Sequence, residues 1–453
     1  MEPVHDLASG DACGRRARAQ APPIRRGAQT PVASPGVIDL RRLRDDAAYR
    51  DGAARKGTAP EFIDEALAAD EAWRSITHQA EEARAAQNAA SREIGRSAPE
   101  DRPAKIAEAA RHKEAVERLE ADERAATERR TDLALQVPNP AAADVPSGGE
   151  EHFETVREVG ERGDPPAHDH AEIGALSGLV DSEAGARNSG TRFAYIKGAA
   201  VRLEFALVQW TMDVLERNGF LPVVPPVLVR EELMVEAGFF PADRHQVYEI
   251  DGDDLFLIGT SEVALAGLHR GERLARAELP LRYAGFSSCF RREAGTHGKD
   301  TRGIFRVHQF DKVEMFSFCD SEASWDELEA LRAIQEEIVG SLDLPYRVIN
   351  VAAGDLGAAA AKKYDLEVWL PSERAYREVT SCSNYTDYSA RRLGTRWFDD
   401  DGHGLVHTLN GTACAVGRTL VFIMENHQRP DGSVAVPEVL HPWLNFTEIE
   451  APA

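Results

Sequence analysis

Three polar stretches carry residue types suited to a phosphorylated, base-bearing ligand. The first runs Cys289-Phe290-Arg291-Arg292-Glu293, crosses a polar, glycine-bearing segment over 294–303, and returns as Ile304-Phe305-Arg306-Val307-His308-Gln309-Phe310-Asp311-Lys312-Val313-Glu314. Apolar flanks around a polar loop predict a β-hairpin. Strand alternation then sets Arg306, His308, Phe310, Lys312 and Glu314 on one face. There a guanidinium can grip a phosphate, a ring can stack on a base, and a carboxylate can receive an ammonium. A solvated strand with a charged face would read the same way. The second stretch, Tyr376-Arg377-Glu378-Val379-Thr380-Ser381-Cys382-Ser383-Asn384, alternates side chains able to act as ligands. The third, Asn410-Gly411-Thr412-Ala413-Cys414-Ala415-Val416-Gly417-Arg418, puts small residues before an arginine on a helix whose apolar face is Leu420, Ile423 and Met424. Such a helix lies close on a sheet with Arg418 above it, although packing alone would also explain it.

These stretches need a scaffold. Beyond a Pro- and Gly-rich segment at 136–149, strand candidates at 255–258, 306–316, 346–351 and 367–370 alternate with turns and helices. An amphipathic helix is expected over 193–218, stopped by Gly219. The pattern predicts an α+β fold on a mostly antiparallel sheet flanked by helices.

The half before the linker has a different grammar. From 60 to 135 it is rich in Ala, Glu and Arg, broken by Gly and Pro only between Gly95 and Pro103. Phe62, Ala66, Ala69, Trp73, Ile76, Ala80, Ala83, Gln87, Ala90 and Ile94 alternate at four and three, a heptad seam. On the far side Ala109, Val116, Leu119, Ala126 and Leu133 keep a looser register interrupted by His112, Glu123 and Arg130. Two antiparallel helices of about 30 residues, roughly 45 Å long, are expected. Either a dimerising coiled coil or a lever reaching a large partner would use this pattern. Charge does not favour RNA, with 12 Lys and Arg against 18 Asp and Glu from Glu61 to Leu135.

The whole chain of 453 residues has a formal charge of −23, so any nucleic-acid contact must be a local basic surface. Its length implies more than one domain. Five scattered cysteines (Cys13, Cys289, Cys319, Cys382, Cys414) without a C-x-x-C pair suggest neither a disulfide framework nor a cysteine zinc site, in keeping with a cytoplasmic location. No run of eighteen apolar residues is present to span a membrane. Residues 1–36 read as a disordered N-terminal extension without a secretory h-region, the ordered part starting near Val37.

Together the polar stretches resemble the signature segments of class II aminoacyl-tRNA synthetases. A helix–strand ending in Pro225-Pro226 resembles motif 1, Phe290-Arg291-x-Glu293 with its return strand motif 2, and the glycine-bearing helix reaching Arg418 motif 3. Gly259-Thr260-Ser261-Glu262, the run Asp300 to Glu314, Glu378 to Asn384 and His407-Thr408-Leu409-Asn410-Gly411-Thr412 narrow the resemblance to seryl-tRNA synthetases of the bacterial, zinc-free type. It extends from about Val37 to Pro442. The resemblance implies residues 37–140 as a tRNA-binding domain whose arm grips the long variable arm of the serine tRNA, and 141–453 as a class II catalytic domain. It also implies a homodimer formed through motif 1.

The implied reaction activates L-serine with ATP and transfers it to tRNA(Ser), with tRNA(Sec) as a further acceptor. By similarity Arg291, Glu378 and Arg418 are catalytic. ATP is implied to meet Arg291, Arg292, Glu293, Phe310, Glu378, Val379, Thr380, Ser381 and Arg418, with Mg²⁺ on Glu378 and Ser381. Serine is implied to meet Thr260, Ser261, Glu262, Arg291, Glu314, Asn410 and Thr412. The ending Leu440-His441-Pro442-Trp443-Leu444 and His297 in the motif 2 loop depart from the family pattern. They would suit a specialised second copy, for antibiotic self-resistance or biosynthetic seryl-tRNA supply. Two rivals remain: a carrier-protein-type amino-acid ligase, from which the long arm distinguishes this chain, and a non-catalytic paralogue, which would have lost the arginines retained here.

Overall fold

The computed structural model describes residues 38–295, 300 and 302–452. The expected extension at 1–36, His297 and Thr301 lie outside the described residues. The chain opens with α1 (Leu40–Asp45) and α2 (Ala47–Arg55), then the arm, α3 (Pro60–Arg96) and α4 (Arg102–Gln136). At 37 and 35 residues the arm helices exceed the expected length and reach roughly 50–55 Å. Pro103 does not break the second helix. It sits in its first turn, where the missing N–H costs no hydrogen bond.

The seam follows the heptads from Ala66 outward, but at the foot Ile63 and Asp70 are buried where Phe62 and Ala69 were expected. The three residues that broke the α4 register turn inward and are half-buried, two of them in ion pairs. Glu123 accepts from Arg84 at 2.9 Å, and Arg130 donates to Asp70 at 2.8 Å. The foot has its own apolar core, including Leu40, Leu43, Ile63, Ala66 and Leu133. Polar clips dock it on the following part: Arg55 donates to the carbonyls of Ala141, Ala142 and Val145, and Lys56 to those of Asn139, Gly357, Ala358 and Ala360.

That part is built on one eight-stranded sheet. Its strands are β1 (Glu154–Val159), β2 (Leu221–Val223), β3 (Leu281–Phe290), β4 (Gln309–Cys319), β5 (Tyr346–Asn350), β6 (Lys362–Leu370), β7 (Ala375–Asn384) and β8 (His407–Ala415). Their order is β1-β5-β6-β7-β8-β4-β3-β2, antiparallel throughout except for the β2–β3 edge pair. Three further helices, α5 (Ala199–Arg217), α6 (Ser324–Ser341) and α7 (Val416–Asn426), pack on it. They bury Leu203, Leu207, Leu331, Ile338, Leu420 and Ile423 against Val313, Met315, Leu366, Val368 and Leu409. The α5 helix begins six residues later than 193 because Tyr195–Ile196 pairs with Val180–Asp181, and Gly198 then turns the chain at φ +58°. A glycine tolerates that left-handed angle. Likewise β4 begins at Gln309 and not at 306, so the hairpin's return segment is irregular up to His308. Among the described residues no helix is long and apolar enough to cross a membrane.

Candidate active site

The sheet face opposite these helices forms the floor of a cavity. Alternation in β4 sends Val313 and Met315 into the core, and Lys312 and Glu314 into the cavity. Two irregularities decide what joins them. The β6–β7 register slips between Leu366/Thr380 and Glu367/Glu378, leaving Val379 as an extra residue. The β4–β8 register slips in the same way at Ala413. Each bulge reverses the phase of its strand. Glu378, Val379 and Ser381 therefore line the cavity together, as do Thr412 and Ala415.

Thr260, Glu262, Arg291, Glu293, Phe310, Glu314, Glu378, Val379, Ser381, Thr412 and Arg418 thus face one space. Four of the expected residues do not line it. Thr380 follows the bulge and turns away, 2% exposed, its hydroxyl without a partner. Ser261 is fully buried at the start of the short helix Glu262–Ala266. Arg292 points to solvent while its backbone N–H donates to the Gln246 carbonyl at 2.8 Å. Asn410 shares the face of Thr412 on β8 but is buried beside the cavity, donating to Glu262 Oε1 at 3.2 Å. Arg306 lines the cavity but His308 does not. The His308 ring sits beside Phe193 and its Nδ1 donates to the Arg291 carbonyl at 2.9 Å.

The two ends of the cavity differ in charge. At the floor the Lys312 ammonium lies 2.5 Å from Glu314 Oε2 and donates to Thr260 Oγ1 at 2.8 Å. The hydroxyls of Thr260 and Thr412 each stand 3.4 Å from the same Glu314 oxygen. Burial, followed by the neighbouring Glu314 charge, pushes the Glu262 carboxyl up to about 8. Two buried carboxyl groups thus share one lysine, and Glu262 keeps its proton for want of a second cation.

Toward the mouth lie two arginines. Arg291 Nε donates to the Gly259 carbonyl at 3.1 Å, and its guanidinium stands 5.4 Å from the Phe310 ring centre. Arg418, in the first turn of α7, donates to the Glu378 carbonyl at 2.9 Å and approaches its carboxylate at 3.5 Å. Burial raises the Glu378 carboxyl, but Arg418, Lys363 and Arg291 outweigh it and hold the group below its ordinary value. Arg306 bridges Glu293 at 2.7 Å and Asp300 at 3.3 Å, and Arg377 donates to Asp300 at 2.8 Å. These pairs tie the hairpin to β7.

Sequence reasoning missed the Lys312 bridge, the Asp300 clamp and Tyr385, whose phenol lines the cavity near Glu262. Lys312 was legible as a cation two residues from Glu314 on one strand face. Tyr385 carried no such signal, since it follows the end of β7.

Comparison with known proteins gives a consistent answer. Residues 37–141 match the seryl-tRNA synthetase N-terminal domain, and residues 246–427 the tRNA synthetase class II core domain (G, H, P, S and T). The serine–tRNA ligase of Mycobacterium tuberculosis is 47% identical over 421 residues, which cover 91% of this chain and 99% of that one. A Pyrococcus horikoshii seryl-tRNA synthetase, solved in complex with ATP, superposes with a TM-score of 0.86 at 35% identity over 92% of this chain and all of the other. The cytoplasmic serine–tRNA ligase of Naegleria fowleri, solved with AMP, gives 0.83 at 31% identity over 92% and 99%. Each of these relatives is named as a serine–tRNA ligase or seryl-tRNA synthetase.

Proposed function

Because the chain belongs to the seryl-tRNA synthetase family, we infer that its cavity carries out serine–tRNA ligation in two steps. A serine carboxylate oxygen attacks the α-phosphorus of ATP and pyrophosphate leaves. The 3′-terminal hydroxyl of tRNA(Ser) then attacks the seryl carbonyl carbon and AMP leaves. The observation that carries this reading is the polarity of the cavity, a carboxylate-rich floor beneath an arginine-rich mouth. An amino acid's ammonium suits the first and a triphosphate the second.

In this reading Arg291 holds the α-phosphate and Arg418 the γ-phosphate, while Phe310 stacks on the adenine and Glu293 meets its amino group. In-line displacement asks of the protein mainly positioning and charge neutralisation. Mg²⁺ fits Glu378 and Ser381: the carboxylate is held ionised, both side chains supply hard oxygens, and both line the cavity. Among the described residues no group of three His, Cys, Asp or Glu forms a closed metal site, so the phosphates of ATP would complete the shell. Bound there, the ion would neutralise phosphate charge.

Serine's ammonium goes to Glu314 and Glu262, and its hydroxyl to Thr412 and Thr260, with Asn410 holding Glu262 by a hydrogen bond. Alanine would leave these polar groups unpaired, whereas exclusion of threonine rests on one methyl, about 1–3 kcal/mol. The division at residue 140, where Arg55 and Lys56 grip the chain, separates the RNA-binding part (37–140) from the catalytic part (141–453). A homodimer through motif 1 is supported by exposed apolar side chains beside the β2 edge: Phe205 (60%), Leu221 (44%) and Val224 (82%). A cytoplasmic location suits an enzyme acting on tRNA. Incubation of the intact protein with labelled serine, ATP and tRNA(Ser) tests the reading. Seryl-tRNA should form, and absence of charging under conditions where the tRNA binds would overturn it.

A further inference from the structure

The α3 seam contains one acid at a position the heptads reserve for small apolar side chains. Asp70 is 3% exposed. Its Oδ2 accepts from Arg44 Nη2 at 2.7 Å and Arg74 Nε at 3.1 Å, and its Oδ1 from Arg130 Nε at 2.8 Å. One carboxylate cannot neutralise three guanidiniums. Arg130 also lies over the Trp73 ring at 4.4 Å, which fixes the plane of its guanidinium.

These side chains line an open concavity of about 360 Å³ at the foot of the arm, together with Arg41 and Arg391. Arg391 is balanced by Asp39 at 2.8 Å and Asp387 at 2.7 Å. Arg41 is 87% exposed, with Asp45 at 3.8 Å. Five arginines and two carboxylates, Asp39 and Asp70, line the concavity, and the positive excess sits around Asp70, in an arm whose acids outnumber its bases and a chain of net charge −23. Arg74 and Arg130 each commit one of five N–H bonds to Asp70, and their side chains remain 46% and 29% exposed. A single bidentate arginine would satisfy a buried carboxylate. The second and third repel one another unless an anion joins them.

We propose that this concavity is a binding site for the sugar–phosphate backbone of tRNA, Asp70 holding Arg44, Arg74 and Arg130 as a preformed phosphate cradle with Arg41 at its rim. The proposal rests on the ligase reading above and adds to it a foothold at the base of the arm. Charge complementarity selects the occupant: phosphate oxygens match guanidinium forks, and the cradle opens to solvent beside α3 and α4, apart from the nucleotide cavity.

The test uses the intact protein carrying Arg74→Gln or Arg41→Gln. The first leaves Asp70 paired with two arginines, and the second touches no buried group. Binding of tRNA(Ser) is measured across a salt series, beside serine-dependent ATP–pyrophosphate exchange. Each variant should bind tRNA on the order of five- to tenfold more weakly at about 0.1 M salt, with the log–log salt slope reduced by about one. Exchange should be unchanged. Affinity and slope equal to wild type would overturn the proposal, leaving the arginines as struts for Asp70. Weaker binding with an unchanged slope would also overturn it, because it would signal a displaced arm and not a lost phosphate contact. Failure of the wild-type protein to bind any tRNA would instead remove the ligase reading itself.

Discussion

Two buried carboxylate clusters in this molecule are balanced in opposite ways. At the foot of the arm, one carboxylate, Asp70, is surrounded by three guanidiniums. On the cavity floor, two carboxyl groups, Glu262 and Glu314, have one ammonium, Lys312, between them, so that Glu262 keeps its proton until a second cation arrives. Each surroundings is thus incomplete in the sense its ligand would complete: the foot lacks an anion, the floor a cation. Burial alone would disfavour every one of these charges, so the sign of the imbalance is the functional information.

The largest effect that would break this contrast comes from the arm. Asp70→Ala leaves three guanidiniums against one another and should destabilise the foot by about 3–5 kcal/mol. Hydrogen exchange should report faster opening around Ile63, Ala66 and Leu133, with pyrophosphate exchange retained. Equal protection would mean that Asp70 is not the keystone. Arg418→Ala should do the reverse, lowering serine-dependent pyrophosphate exchange by roughly 10²–10³-fold while tRNA affinity stays at wild type.

Glu262 gives a test with a pH signature. Its folded carboxyl holds a proton up to about 8, whereas the unfolded one releases it near the ordinary glutamate value of 4.5. Between those values the folded state binds more protons, so this group's contribution to stability falls as pH rises. Glu262→Gln should therefore melt higher than wild type at pH ~8 and match it near pH ~4. Its KM for serine should rise. A variant no more stable at the higher pH would show that the floor is not short of positive charge. The smallest effect is Phe310→Ala, which should raise KM for ATP by the stacking contribution of about 1–3 kcal/mol and leave serine's unchanged.

Most of this architecture was legible in the sequence because its signals are periodic. Heptads along α3 located the arm, and the Phe290-to-Glu314 hairpin brought Arg291, Phe310 and Glu314 together. What escaped was aperiodic. Simple alternation would have set Glu378, Thr380 and Cys382 on one face, whereas the bulge at Val379 exchanges Thr380 for Ser381. A bulge costs one residue of register and leaves no compositional mark. Asp70 escaped for another reason: its burial depends on arginines 26 residues before and 60 residues after it, which pairing in space alone reveals. Gly198 and the Tyr195–Ile196 pairing shortened α5 through a contact with Val180–Asp181 that no helix periodicity encodes.

The central claim, that the carboxylate-rich floor selects serine for adenylation, is tested most directly by ATP–pyrophosphate exchange with each of the twenty amino acids in turn. The account predicts exchange with serine, at most weak exchange with threonine, and none with alanine. Exchange driven by a different amino acid, or by none, would contradict it.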